Sequence, residues 1–394
     1  MTDTITQKPR ALILAFKNHY LNSTDDVFYD VLSNIFEVTF YGPGYTPKEE
    51  LITDARKIYD TLGPFDACFV HQYVMHNLYS WPQFLRRPSV NQYFAFNEIY
   101  FCDHSADFGI NYNDIPCKKF LISLRSDCYA FTKKEEDEYK SFDGYWIIPP
   151  PEVIPPVSEL TNFEGEKFSI QATDRYIDLC AQNAERIIPV AHLMSSEEFV
   201  TIPLNKKTID VSVPGCAYLE RRNAYQNLKN AGYNPVKEYQ FVKYTRYAMQ
   251  LSKLHFGATN VGVKFFKSTF RHLIANSRVV FTDGSRVRAP IRKYFEIPAF
   301  GSLLAAEKSY NADALGFVDG KNFVECNSKT ICDVVAHSLK NDDWTQMMIQ
   351  SSSDFIRQTH SDVAWTGYFR EIYSRISDGT FNGARWEKGT VFCR

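Results

Sequence analysis

The chain has almost no net charge. Its 44 Lys and Arg against 46 Asp and Glu leave −2 over 394 residues, a balance that argues against general nucleic-acid binding and whole-protein electrostatic adhesion to a membrane. No run of eighteen apolar residues occurs, and the opening MTDTITQKPR lacks the apolar stretch of a signal peptide, so no spanning helix is expected. The expected location is cytoplasmic, extending at most to the inner face of a membrane. The nine cysteines are scattered, odd in number and without a C-x-x-C pair, which points to reduced thiols. There is no G-x-G-x-x-G or G-x-x-x-x-G-K-[ST], so a nicotinamide dehydrogenase or P-loop kinase is poorly supported. Metal and serine hydrolysis lose ground too, because H-E-x-x-H, G-x-S-x-G and any tight His cluster are missing. No long-period repeat suggests a solenoid.

Apolar runs alternate with amphipathic ones, the pattern of parallel sheets flanked by helices. ALILAF at 11–16 reads as a buried strand, followed by a polar loop and a helix over 25–36. EVTFYG is the second strand, 48–61 is helical in pattern, and DACFVH at 66–71 is the third strand. SVNQYFAFNE and KKFLISLRSD are further strand candidates. The proline-rich 146–160 is expected to be a loop. At this length two domains are the default, and the boundary falls near 190–207, giving an N-terminal domain over 1–200 and a C-terminal one over 201–394. IDVSVPG, Tyr218, Arg221-Arg222 and a helix over NAYQNLKNAG then restart the strand, glycine turn and helix order of a nucleotide-binding half.

Residues 277–307, SRVVFTDGSRVRAPIRKYFEIPAFGSLLAAE, are the most specific stretch. Ser277 to Thr282 read as a buried strand and Asp283-Gly284-Ser285 as a turn. Arg286, Arg288, Arg292 and Lys293 follow, with Pro290 where a helix would start. Basic side chains and free backbone N–H groups at a helix start suit a phosphate or diphosphate. Glu296, one turn on, can accept from a sugar hydroxyl, and Gly301 closes the helix.

RKYFEIPAFGSLLA, the downstream GFVDGKNFVECNSKTICDVVAHSL and HSDVAWTGYFREIYSRI together resemble the carboxyl-terminal domain of GT-B glycosyltransferases of the spore-maturation-protein type, relatives of family 4. The family's helix and turn motifs fall on Arg292 or Lys293, Phe295, Glu296, Ala299 and Gly301, then Phe317, Asp319 and Gly320, then His360. The likeness is closer in the second half of the chain than in the first. It implies two Rossmann-like α/β domains facing across a cleft, the last helix crossing back to the first domain, and Glu296 on the ribose or nucleotide of the donor. The acid that family 4 carries eight positions upstream is replaced here by Arg288.

The implied activity is metal-independent transfer of a sugar from a nucleotide-sugar donor to a glycan or other hydroxyl acceptor, in cell-surface polysaccharide or glycan assembly. The nucleotide-sugar is substrate, with no separate cofactor. Donor-side candidates are Glu296, Arg292, Lys293, Arg288, Gly215, Arg221 and Arg222, with Lys264 from ATNVGVKFF, read as a glycine-bearing loop, and Lys267 at the start of the helix KSTFRHLIANS. Asp127, Glu98 and His19 are the candidate bases, because they follow strands of the first domain. A GT-B epimerase, a phosphorylase and a catalytically silent nucleotide-sugar-binding protein share the same expected cleft.

Overall fold

The computed structural model describes residues 8–15, 24–42, 45–52, 54–72, 112–124, 131–156, 170–216, 218–252, 260–284 and 288–394. His19, Glu98, Asp127, Arg286 and the strand candidate SVNQYFAFNE lie outside them.

The first half is built on six strands: β1 (Arg10–Leu14), β2 (Glu37–Tyr41), β3 (Ala67–His71), β4 (Lys118–Ile122), β5 (Tyr145–Ile148) and β6 (Ile187–Pro189). They pair in the order β2-β1-β3-β4-β5-β6, every neighbour parallel. Parallel strands buried on both faces need continuous apolar sequence, and Leu12, Ile13, Phe69 and Phe120 are fully buried. Among the described residues its helices are α1 (Thr24–Ile35), α2 (Ala55–Leu62), α3 (Lys133–Ser141) and α4 (Ile170–Gln182). Val27, Phe28, Val31, Leu32 and Ile35 form the buried stripe of α1, and Asp25 and Asp26 in its first turn complement the helix dipole. A capping box between Thr132 and Glu135 starts α3.

The second half carries β7 (Ile209–Ser212), β8 (Ser277–Thr282), β9 (Leu303–Ala306) and β10 (Val324–Glu325), parallel in the order β10-β9-β8-β7. Val236 forms a bridge to Ser212 on the other side of β7. The helices here are α5 (Leu219–Asn230), α6 (Gln240–Ser252), α7 (Asn260–Ala275), α8 (Lys293–Ala299), α9 (Ile331–Lys340), α10 (Asp342–Thr359) and α11 (Asp362–Asp378), followed by a hairpin of β11 (Ala384–Glu387) and β12 (Thr390–Cys393). Although α11 ends the chain's helical run, it packs on the first half: Phe369 meets Phe28 edge-on at 5.6 Å, and Tyr373 meets Phe36 at 4.7 Å.

Three local expectations are corrected. The proline-rich stretch is not wholly loop, because Trp146, Ile147 and Ile148 are buried in β5 and the chain leaves the sheet only after Ile148, with one helical turn over Pro151–Val153. Residues 48–61 are not one helix but a turn over Lys48–Glu50 and then α2, which is capped by Asp54. ATNVGVKFF is helical from Asn260 onward, so Lys264 sits on α7 rather than in a loop, on the same helix as Lys267.

Candidate functional site

In a sheet of this kind the loops diverge at the strand where connections switch sides, and ligands lie beyond the carboxyl ends there. The first sheet switches at β1, which has β2 on one side and β3 on the other. His71 ends β3, and its Nε2 lies 3.4 Å from a carboxylate oxygen of Asp25 on the first turn of α1. Asp26 follows. Its surface is exposed although protein from both halves surrounds it, and this crowding raises its carboxyl to about 6, moderated by Lys267 and raised further by Asp25 and Asp30.

The second sheet switches at β7, between the Val236 bridge and β8. The chain leaves β7 through Gly215 at φ +97°, a backbone state that penalises any side chain. A Cβ there would lie 2.7 Å from Lys293 Nζ and 3.3 Å from Arg221 Nη1, so glycine is also what lets these cations approach the backbone. The Arg221 guanidinium is fully buried, donates to Asp283 at 2.5 Å and to the Cys216 carbonyl at 3.1 Å, and thereby holds the loop. Arg222, on the outer side of α5, is exposed. Tyr218 at the α5 N-cap gives no side-chain capping bond.

Lys293 differs from its neighbours. Burial, and then Arg221, push its ammonium down to about 8, and among the described residues it forms no ion pair with a carboxylate. Arg292, one position earlier, is saturated. Its Nε donates to Glu296 at 2.8 Å, Nη1 to the Leu193 carbonyl at 3.2 Å and Thr24 Oγ1 at 3.3 Å, and Nη2 to both oxygens of Glu198 at 3.3 Å. Here the donors of Arg292 join α8 to the first half, while Lys293 of the pair faces the glycine loop. Glu296 is correspondingly oriented by Arg292. Gly301 does end α8, at φ +73°, and a Cβ there would meet the Val200 carbonyl at 2.5 Å.

Lys267 joins this cleft from α7. Its ammonium is lowered by burial and partly restored by Asp26, Glu198 and Glu296. Lys264 is exposed and makes none of these contacts. Arg288 adopts φ +51°, and its carbonyl accepts from the Tyr310 backbone N–H at 2.7 Å.

Several residues of the cleft carry no signal in the sequence pattern. Asp26 is one, hidden as the second acid of an ordinary helix start. Glu307 is another: it directly follows β9, and burial with Glu220 and Asp283 nearby raises its carboxyl to about 7, opposed by Arg288. His192 is half-buried by surface, is held 3.2 Å from Thr24 Oγ1 and is depressed to about 3 by the protein crowding it first and Arg292 second, so it stays neutral. His360 is neutral as well, depressed to about 4 by burial. Its ring stacks on Trp386 at 4.8 Å and bonds the Leu315 carbonyl through Nε2 at 3.0 Å, which makes it a packing residue. Among the described residues no cluster of His, Cys, Asp and Glu could hold a metal ion, and no helix is long and apolar enough to cross a membrane.

No family model and no curated protein sequence matches this chain. Solved structures do. Anabaena HepE, in complex with UDP and glucose, aligns with a TM-score of 0.51 at 12% identity, over 93% of this chain and 99% of HepE. A glycosyltransferase from Rickettsia africae aligns at 0.50 and 11% identity, over 94% of this chain and 99% of that one. The fold is therefore GT-B, two α/β halves meeting across a cleft.

Proposed function

We propose that the protein is a glycosyltransferase that takes its sugar from a nucleotide-activated donor and passes it to a hydroxyl acceptor. The observation that carries this reading is Lys293: an ammonium crowded by protein, without a carboxylate partner among the described residues, set against a glycine loop at the switch point of the second sheet. A diphosphate supplies the missing negative charge and also meets the N–H groups at the start of α5. When the anomeric carbon–oxygen bond breaks, its electron pair goes to the diphosphate, where Lys293, the α5 N-terminus and Arg288 stabilise it. Glu296, fixed by Arg292, accepts from a donor hydroxyl. The acceptor oxygen forms the new bond to the sugar and gives its proton to a base of the first half. Asp26 is the described carboxylate best placed for that step, beside the sequence candidates Asp127, Glu98 and His19. Charge neutralisation by side chains and helix ends makes the proposed reaction metal-independent. The likeness of the RKYFEIPAFG helix to spore-maturation-type enzymes supports a role in surface polysaccharide or glycan assembly, in the cytoplasm.

HepE binds UDP and UDP-glucose, so uridine nucleotides are the first to test. Calorimetry with UDP, GDP, ADP, CMP and dTDP should reveal one favoured nucleoside diphosphate, and incubation of the matching nucleotide-sugars with and without acceptor should give acceptor-dependent transfer without added metal. If no nucleotide binds, the donor assignment fails; if the sugar is inverted at a ring carbon without transfer, the reaction is epimerisation.

A further inference from the structure

The near-neutral total charge conceals a strong local bias. From Tyr239 to Thr282 the sequence holds seven Lys or Arg and no Asp or Glu. This stretch forms α6, α7 and β8, and α6 is one of the least covered helices in the protein. Phe241, Tyr244 and Tyr247 are 51%, 65% and 52% exposed. Spaced i, i+3 and i+6, they share one side of the helix, beside exposed Lys243 and beside Arg246, which pairs with Glu238 at 3.0 Å. Phe241 contacts Phe265 of α7 with ring centroids 6.1 Å apart. One turn before Phe265 stands Val261, 67% exposed, and exposed Lys264 lies on the same stretch of helix. The result is a surface of aromatic and aliphatic side chains interleaved with cations. Met347 and Val363 are exposed apolar residues on other helices, α10 and α11.

We propose that the α6–α7 face seats the protein on an anionic lipid surface. Tyrosines lying between lysines and arginines suit the headgroup layer, where the rings enter the boundary and the cations meet lipid phosphates. A glycan fits this face less well, because aromatic sugar sites also need hydrogen-bond acceptors and the carboxylate at its edge, Glu238, is already engaged by Arg246 at 3.0 Å. Single-stranded nucleic acid favours a positively charged groove with stacking platforms, whereas this face bears Phe241 and Val261 as exposed apolar groups. Lys267, one turn beyond Lys264 on α7, interacts with Asp26 and Arg292, so seating on this face brings the cleft close to the bilayer.

The test is sedimentation of the full chain with vesicles of phosphatidylcholine alone and of phosphatidylcholine with about one-third phosphatidylglycerol. Binding is expected only to the anionic vesicles and should weaken as salt is raised. Replacing Lys243 and Lys264 together by Ala should lower partition about thirtyfold, since each surface cation contributes about a fivefold attraction. Phe241→Ser with Tyr244→Ser should also lower it, whereas Val363→Ser should leave it unchanged. These sites are exposed, so unaltered circular dichroism and melting will accompany the loss. Equal partition onto both kinds of vesicle, insensitivity to these substitutions, or tighter capture by a single-stranded oligonucleotide than by anionic vesicles would each overturn the proposal.

Discussion

The two switch points of this molecule have the same backbone logic and opposite chemistry. Where the first sheet turns at β1, the side chains gathered are Asp25, Asp26 and His71. Where the second turns at β7, they are Arg221 and Lys293 around an exposed glycine. Parallel strands place their loops and helix N-termini at the same end in both cases, so the topology supplies two equivalent ledges, and the sequence makes one acidic and the other basic. This division suits a reaction that builds negative charge on a leaving phosphate at one end and removes a proton from a hydroxyl at the other. Arg292 joins the two ledges. One guanidinium reaches Glu296 on its own helix and Glu198, Leu193 and Thr24 outside it.

The largest effect should come from the acidic side. Asp26→Asn should lower kcat by about 100-fold to 10,000-fold while leaving nucleotide affinity intact, and the wild-type rate should climb as pH rises through about 6, where the carboxyl loses its proton. Steady-state kinetics across pH would check this, and an unchanged kcat in the variant would return the base to one of Asp127, Glu98 and His19.

Arg292→Ala and Lys293→Ala, adjacent in sequence, should then separate fold from binding. Removing Arg292 strands Glu198 and Glu296 in a largely enclosed site and should cost about 3 kcal/mol of stability, visible as an earlier urea midpoint. Removing Lys293 should leave that midpoint in place or raise it, but weaken the nucleoside diphosphate by roughly tenfold to a hundredfold, the worth of one charge-assisted hydrogen bond. If both variants merely lose affinity, Arg292 is a ligand after all.

The smallest effect is a pH signature with two opposite signs. Because the folded protein holds the Lys293 ammonium down to about 8, against an ordinary value near 10.4, the unfolded chain binds more protons between those limits. Stability should therefore rise with pH across that window, with Lys207, also lowered to about 8 by burial, adding in the same direction. Nucleotide affinity should fall across it as the ammonium discharges. Subtracting the curve of Lys293→Met isolates the first trend, and calorimetry on Lys293→Arg, which does not titrate there, should flatten the second.

Much of the second half is legible in the sequence. SRVVFT and SLLAAE are compact β-branched or apolar runs, and the helix between them is closed by a glycine, so β8, α8 and β9 fall where their residues require. The basic cluster is visible too, but not how its members divide. Arg292 and Lys293 are both cations at one helix start, and nothing in their order tells which is consumed internally, because Thr24, Leu193 and Glu198 come from about 95 to 270 positions away. The helical state of NVGVKFF is hidden by its glycine and β-branched residues, which lower intrinsic helix propensity until packing overrides it.

By itself the sequence determined the alternation of strand and helix, the buried strands and the glycine turns, because these rest on local periodicity and backbone sterics. It also set the acid-free bias of residues 239–282, which is composition alone. Only the tertiary structure decided that Asp26 stands in a cleft, that Arg292 spans the two halves, that His360 is packed inside aromatic rings and that Lys293 approaches Gly215. Each of these depends on desolvation and on partners distant in the chain, and both arise only when separate segments are folded against one another.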